Sequence, residues 1–220
     1  TFIINNNFYS LVSFIKLYNL IRAYIINKMK FMHYFFEEIN SFFLFLIFGF
    51  PGRTGVYLRR LILKILLKKV GKNLYIETGV VITNYKNIIL KDNVRIMRNS
   101  SINADNGIVK IGNNVSINYN VNINCSGGGE IIIGDGVLIG QNTVIRSADH
   151  KYIPNVPFIE SGHTHKNIII EENVWIGANC CILKNSYIGN TTIIGANSTI
   201  TKKIDSNKVV VGSNEIKKSI

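Results

Sequence analysis

Four histidines and three cysteines are the side chains best suited to proton or nucleophile chemistry in this 220-residue chain. A neutral imidazole accepts a proton near pH 7, so each His is first a general-base candidate. His33 falls among large apolar residues near the N-terminus, where packing or surface exposure accounts for it. His163 and His165 flank Thr164; two such imidazoles fall short of a metal ligand set, and no metal is expected. His150 follows Asp149, a carboxylate able to hydrogen-bond a turn or to orient the ring. Cys125, Cys180 and Cys181 form no CxxC pair and no disulfide framework, which fits a reduced, cytoplasmic setting. The only Gly-rich loop, Ser126-Gly127-Gly128-Gly129, lacks the Lys-Ser/Thr of a P-loop.

The elements that hold these residues repeat. Aliphatic residues recur every six positions in triplets: Val70, Ile76, Ile82, then Leu90, Ile96, Ile102, then Ile111, Ile117, Ile123. The series continues with Ile133, Ile139, Ile145, then Ile170, Ile176, Ile182, then Ile188, Ile194, Ile200. Thirteen of the eighteen positions four residues further on are Val, Ser, Thr, Cys or Gly. A period of six is neither that of an ordinary strand nor that of an amphipathic helix. It places one large and one small residue inward per short strand. Three hexads then close a triangular coil, and coils stack as parallel strands about 4.8 Å apart. Extra residues enter only after the third hexad of a coil, the longest being 151–169, as a solenoid with loops at one corner allows. His150 closes the third hexad of the fourth coil, so the prism should fix its backbone at the mouth of that loop. By the same count Asp149 takes a small inward position, an expensive place for an unpaired carboxylate.

This pattern resembles the hexapeptide-repeat acyltransferase family, over residues 70 to about 212. The most specific stretch is Ile170–Ile200, with Trp175-Ile176-Gly177, Ile182-Leu183, Gly195-Ala196-Asn197-Ser198 and then Thr201-Lys202. Departures fall at Lys184-Asn185-Ser186 and at Gly212-Ser213-Asn214. The resemblance implies an all-β fold, a left-handed parallel β-helix of about six triangular coils, with an N-terminal α-helical extension. The expected layout is 1–69 helical, 70–205 β-helix with loop 151–169, and 206–220 a C-terminal strand and tail.

The resemblance also implies transfer of an acetyl group from acetyl-coenzyme A, with His150 as general base in a cleft between subunits of a homotrimer. Backbone groups near Gly177, Ala178, Gly195 and Ala196 would hold the pantetheine arm, small residues letting a ligand approach closely. Thr201, Lys202 and Lys203 would meet the hydroxyls and phosphates, and Trp175 would flank the groove. Asn142, Arg146 and Asp149 are the acceptor-side candidates. The lead-in Pro51-Gly52-Arg53-Thr54-Gly55 and Leu58-Arg59-Arg60 is similar to the branch that O-acetylates bacterial surface polysaccharides or their lipid-linked precursors.

Charge and hydropathy locate the remaining partners. Hydrophobic residues make up 47% and charged ones 17%, too apolar for a disordered chain. Of a net charge of +12, residues 1–72 contribute +9. Basic and apolar together read as an anionic membrane surface sooner than a nucleic acid, which is not expected as a partner. Leu11, Ile15, Leu17, Tyr18, Ile21, Tyr24 and Ile25 have helical spacing, as do Leu58, Leu61, Ile62, Ile65 and Leu66, with Arg60, Lys64 and Lys68 on one face. The wholly apolar run from Phe42 reaches only Phe50, about half of what a spanning helix needs, so no ordinary transmembrane helix is expected. Residues 1–69 are thus expected to cap the solenoid, to bind membrane, or both, giving a protein peripheral on the inner face of the cell membrane. Two other functions use the same elements: N-acetylation of an amino-sugar nucleotide, and a non-catalytic membrane-associated scaffold.

Overall fold

The computed structural model describes residues 28–219. The helical spacing between Leu11 and Ile25 lies outside them. The chain divides near residue 46 into two compact units.

Lys28–Gly49 is a single helix of 22 residues, α1. By length and composition it is long and apolar enough to cross a membrane, with a mean hydropathy of 1.2 and no buried window. This corrects the expectation drawn from the Phe42–Phe50 run. Phe31, Phe35, Phe36 and Ile39, all exposed, extend the apolar surface toward the N-terminus. Lys30, His33 and Glu37 interrupt the run in sequence, but at i, i+3 and i+7 they share one stripe of the helix. His33 Nε2 lies 3.2 Å from Glu37 Oε1 on that stripe.

A second helix, α2 (Gly52–Leu66), starts after Pro51 and buries Gly55, Arg59 and Leu63. The buried face is therefore not the leucine and isoleucine face that the spacing suggests: Leu61 and Ile65 are exposed, while Arg59 is 1% exposed. Arg59 wins that place because its guanidinium bonds backbone carbonyls: Nε donates to Ile76 at 2.9 Å, and Nη1 to Phe50 at 2.7 Å and Ile47 at 3.0 Å. Gly55 makes room, since a Cβ there would lie 1.9 Å from the Phe50 carbonyl oxygen. Lys68 falls past the helix end, its N–H donating to Tyr85 O at 3.2 Å, so the basic face ends at Lys64.

The remainder is a β-solenoid of three sheets whose parallel strands number seven, seven and six, each sheet taking every third strand of the coil. Coils stack in exact register. Leu90 lies beside Ile111, then Ile133, Ile170, Ile188 and Ile204 in one sheet. Ile82, Ile102, Ile123, Ile145, Ile182 and Ile200 form the matching column of another. Seventeen of the eighteen predicted hexad aliphatics are buried, Val70 alone being half-buried. Each such side chain contributes roughly 1.5–3 kcal/mol, so these columns dominate the stability of the fold.

The corners turn through asparagine. Among the described residues, sixteen other than glycine have positive φ, and all but Thr191 are Asn. Asn tolerates the left-handed region because its short amide bonds locally. The amides also bond one another from coil to coil: Asn120 Nδ2 donates to Asn142 Oδ1 at 3.1 Å, Asn142 to Asn179 at 3.0 Å and Asn179 to Asn197 at 3.2 Å. Strands continue past residue 205 through Lys208–Val211, and Glu215–Ser219 then pairs antiparallel onto that last strand. The final strand is exposed throughout and carries two lysines, a charged cover for the sheet edge.

Candidate functional site

After the strand Val144–Arg146 the chain buries Ser147 and Ala148 at the corner and leaves the solenoid. Ala148–His150 pairs antiparallel with His163–His165, Asp149 opposite Thr164 and His150 opposite His163. The expected excursion of 151–169 is thus a hairpin whose loop is 151–162, with Ile168 and Ile169 already back in the parallel ladder. Two placements need correction. His150 stands on the hairpin rather than on the last hexad of the prism. Asp149 does not point inward, because the hairpin peels away one step before the hexad would complete; its side chain is 44% exposed.

The hairpin root gathers five chemically active side chains. The His150 and His163 rings lie 4.3 Å apart, centre to centre, at 40°. Lys184 reaches across from the next coil, its Nζ 3.1 Å from Asp149 Oδ2 and 2.5 Å from Thr164 Oγ1. Lys184 sits where the sequence departs from the family pattern, and it is the residue that sequence reasoning missed. That departure was the available signal. With Lys184 as its partner, Asp149 makes no recorded bond to His150. A cavity of about 460 Å³ opens here, lined by Lys151, His163, Thr164, His165, Lys166 and Lys184. His165 packs over the corner loop, where a Cβ on Gly127 would lie 3.3 Å from its Nδ1. Among the described residues no cluster of three or more His, Cys, Asp or Glu forms a metal site.

The loop itself presents apolar surface. Tyr152, Phe158 and Ile159 are 79%, 61% and 87% exposed. Arg146 is exposed on the neighbouring strand, beside Asn124 and Leu183. Asn142 belongs to the asparagine ladder, with φ of 59°, so its amide is already engaged on both sides.

The expected cofactor residues divide into two groups. The N–H groups of Gly177 and Gly195 donate to Ile194 O and Val210 O, both at 2.8 Å, so the coil ladder consumes them. Their smallness is also explained by stacking: a Cβ on Gly177 would lie 2.6 Å from Ala196 N. The Ala178 carbonyl accepts from Asn197 N–H at 2.9 Å. Outward-facing groups remain open. Trp175 is 54% exposed beside Leu138, 49% exposed, in one apolar column. Lys202 is exposed, and Lys203 lies 3.0 Å from Asp205 and 5.6 Å from the centre of the Tyr187 ring. Thr201 exchanges hydrogen bonds with the Asn214 side chain, its N–H donating at 2.9 Å and its Oγ1 accepting at 3.0 Å.

Residues 167–202 match the family of bacterial transferase hexapeptide (six repeats) sequences. A galactoside O-acetyltransferase of Lactococcus lactis is 37% identical over 84 residues, 38% of this chain and 40% of that protein. A putative lipopolysaccharide biosynthesis O-acetyl transferase of Escherichia coli is 26% identical over 148 residues, 54% of this chain and 76% of that protein. The chain thus spans about two fifths of the galactoside O-acetyltransferase. Among solved structures, a maltose O-acetyltransferase from Clostridium difficile has a TM-score of 0.60 at 27% identity, covering 80% of this chain and 82% of its own. A mutant of an N-acyltransferase from Bacillus cereus, in complex with dTDP-4-amino-4,6-dideoxyglucose and coenzyme A, has a TM-score of 0.64 at 25% identity, covering 73% and 88%.

Proposed function

We propose that this hexapeptide-repeat solenoid is an acetyl-coenzyme A-dependent O-acetyltransferase acting on a sugar hydroxyl of a bacterial surface polysaccharide or its precursor. The observation that carries the reading is the hairpin root, where His150 stands exposed beside His163 on a scaffold similar to sugar O-acetyltransferases. Acetyl-coenzyme A would supply the acetyl group as a thioester. His150 takes the proton of the acceptor hydroxyl as its oxygen attacks, and returns it to the departing thiolate. Lys184, held by Asp149 and Thr164, fixes the hairpin to the next coil and so the imidazole to the solenoid. The site residues fit the cofactor in a modified form. The apolar column of Trp175 and Leu138 flanks the pantetheine, and exposed Lys202 with Lys203 meets the phosphates, in place of the committed N–H groups of Gly177 and Gly195.

The assembly in this reading is a homotrimer, supported by the apolar loop Tyr152–Ile159, which needs a neighbour to cover it. The location is the inner face of the cell membrane, with α1 lying in the interface, its Lys30–His33–Glu37 stripe outward. A second reading, N-acylation of an amino-sugar nucleotide, is favoured by the likeness to the Bacillus N-acyltransferase. Acetyl-coenzyme A turnover against a panel of glycans, nucleotide sugars and amino sugars separates the two. Acetate esters on a neutral sugar support the first; turnover with amines alone replaces it with the second; no turnover with either leaves the scaffold.

A further inference from the structure

The first coils hold a concentration of positive charge faced by few carboxylates. A cavity of about 570 Å³ lies between α2 and the start of the solenoid, lined by Arg53, Arg59, Arg60 and Arg98 against one carboxylate, Glu77. Tyr57 and Tyr75 form part of its wall. Arg59 is the telling member. It is 1% exposed and its four recorded bonds, from Nε and Nη1, all go to neutral backbone carbonyls. None of those bonds uses Nη2. Burial lowers the Arg59 pKa, against the opposing influence of Tyr75 and Glu77, so the cation is held where its charge is poorly compensated. A buried cation of that kind is costly unless an anion faces it.

The other three guanidiniums leave donors free. Arg60 uses Nε on Leu74 O at 2.9 Å. Arg98 Nε is 3.5 Å from Glu77 Oε2, a loose contact at the surface. Arg53 is exposed in the first turn of α2, where there is no acidic residue and no side-chain cap. The uncapped N–H groups of that turn add a fixed positive end. These donors outnumber what a carboxylate can accept, and their planar forks suit the tetrahedral oxygens of a phosphate.

We propose that this cavity binds a phosphate or diphosphate group, through Arg53, Arg60, Arg98 and the Nη2 of Arg59. Two sources carry that chemistry, the headgroup of an anionic lipid and the diphosphate of an activated sugar. The inference stands apart from acetyl transfer, because it concerns the first coils and is read out by binding alone.

The test uses the full chain. Calorimetry with inorganic pyrophosphate, and flotation with phosphatidylcholine vesicles with and without phosphatidic acid, are run on wild type and on the Arg53→Gln/Arg98→Gln double variant. Both substitutions are at exposed positions, and an unchanged melting temperature establishes that the fold is intact. Loss of two charge-assisted contacts should weaken pyrophosphate binding about tenfold or more. Added salt should weaken it in wild type. Phosphatidic acid-dependent flotation that is lost in the double variant and competed by pyrophosphate assigns the lipid headgroup. Pyrophosphate binding lost in the variant, with flotation unaffected, assigns the soluble diphosphate. Wild type that binds neither probe, or a double variant that binds both as wild type does, overturns the proposal.

Discussion

His150 is set by its neighbours rather than by its own strand: the ring faces His163 at 4.3 Å, and Lys184 pins both strands of the hairpin through Asp149 and Thr164. Replacing His150 with Ala should lower turnover by ~10²–10⁴-fold, the usual worth of a positioned base, and barely change the affinity for acetyl-coenzyme A. Its exposure means that the melting temperature should not move. Steady-state kinetics with a calorimetric melt checks both, and near-normal turnover would transfer the base to His163. Thr191 is a second residue whose surroundings decide its effect. It is the one β-branched residue in the left-handed region among the described residues, at φ 53°, in a corner column otherwise built of Asn and Gly. Its N–H donates to Glu172 O as Asn173 donates to Asp135 O and Asn207 to Asn190 O, so the three are structural equivalents. Thr191→Asn should therefore stabilise by ~1–2 kcal/mol, the left-handed penalty relieved. A melting temperature raised by a few degrees is the expected result.

Among the elements, α2 is the one whose role depends on a single side chain. Its stripe Gly55–Arg59–Leu63 packs on the first coil, and Arg59 ties the chain leaving α1 to the Ile76 carbonyl of the solenoid. Arg59→Met keeps the length and the apolar stem but removes the donor to the Ile76 and Phe50 carbonyls. The loss should be about 2–3 kcal/mol, the cost of a buried acceptor left unpaired. Thermal melts should show a drop of several degrees, and added proteolysis near Phe50 should mark where the structure loosens. The hairpin is the opposite kind of element, since it owes its place to contacts at its root and leaves its apolar tip exposed.

For the whole molecule, the exposed apolar loop sets the first expectation. Light scattering should give a trimer, the closed assembly that completes a cleft site; a monomer that still turns over substrate would refute it. The α1 helix sets the second expectation. Its aromatic side chains are exposed from Phe31 to Phe45, while His33 and Glu37 pair on one stripe. A polar pair at mid-helix is expensive inside a bilayer but harmless at its surface. The protein should therefore float with anionic vesicles and lose that property when residues 28–49 are deleted. Extraction by salt would point to charge as the main attraction, and resistance to salt to inserted aromatic rings.

The six-residue spacing of Ile was enough to determine the parallel coils, the inward columns and the corner at which the long excursion leaves, because a solenoid contacts only its own neighbours and each hexad reports its own position. His150 and the departure at Lys184 were both visible in that frame. The pairing of Lys184 with Asp149 was not, because an antiparallel hairpin obeys a different register from the hexad and turns Asp149 out of the core. Nor could spacing tell that Arg59 would displace leucine from the buried face of α2, since the acceptors it bonds lie 9 to 17 residues away in sequence. Glycine had the same ambiguity at Gly177 and Gly195, where smallness serves either a ligand or the next coil. Only the tertiary structure showed how closely the next coil stacks there, with Ala196 N 2.6 Å from a Cβ on Gly177.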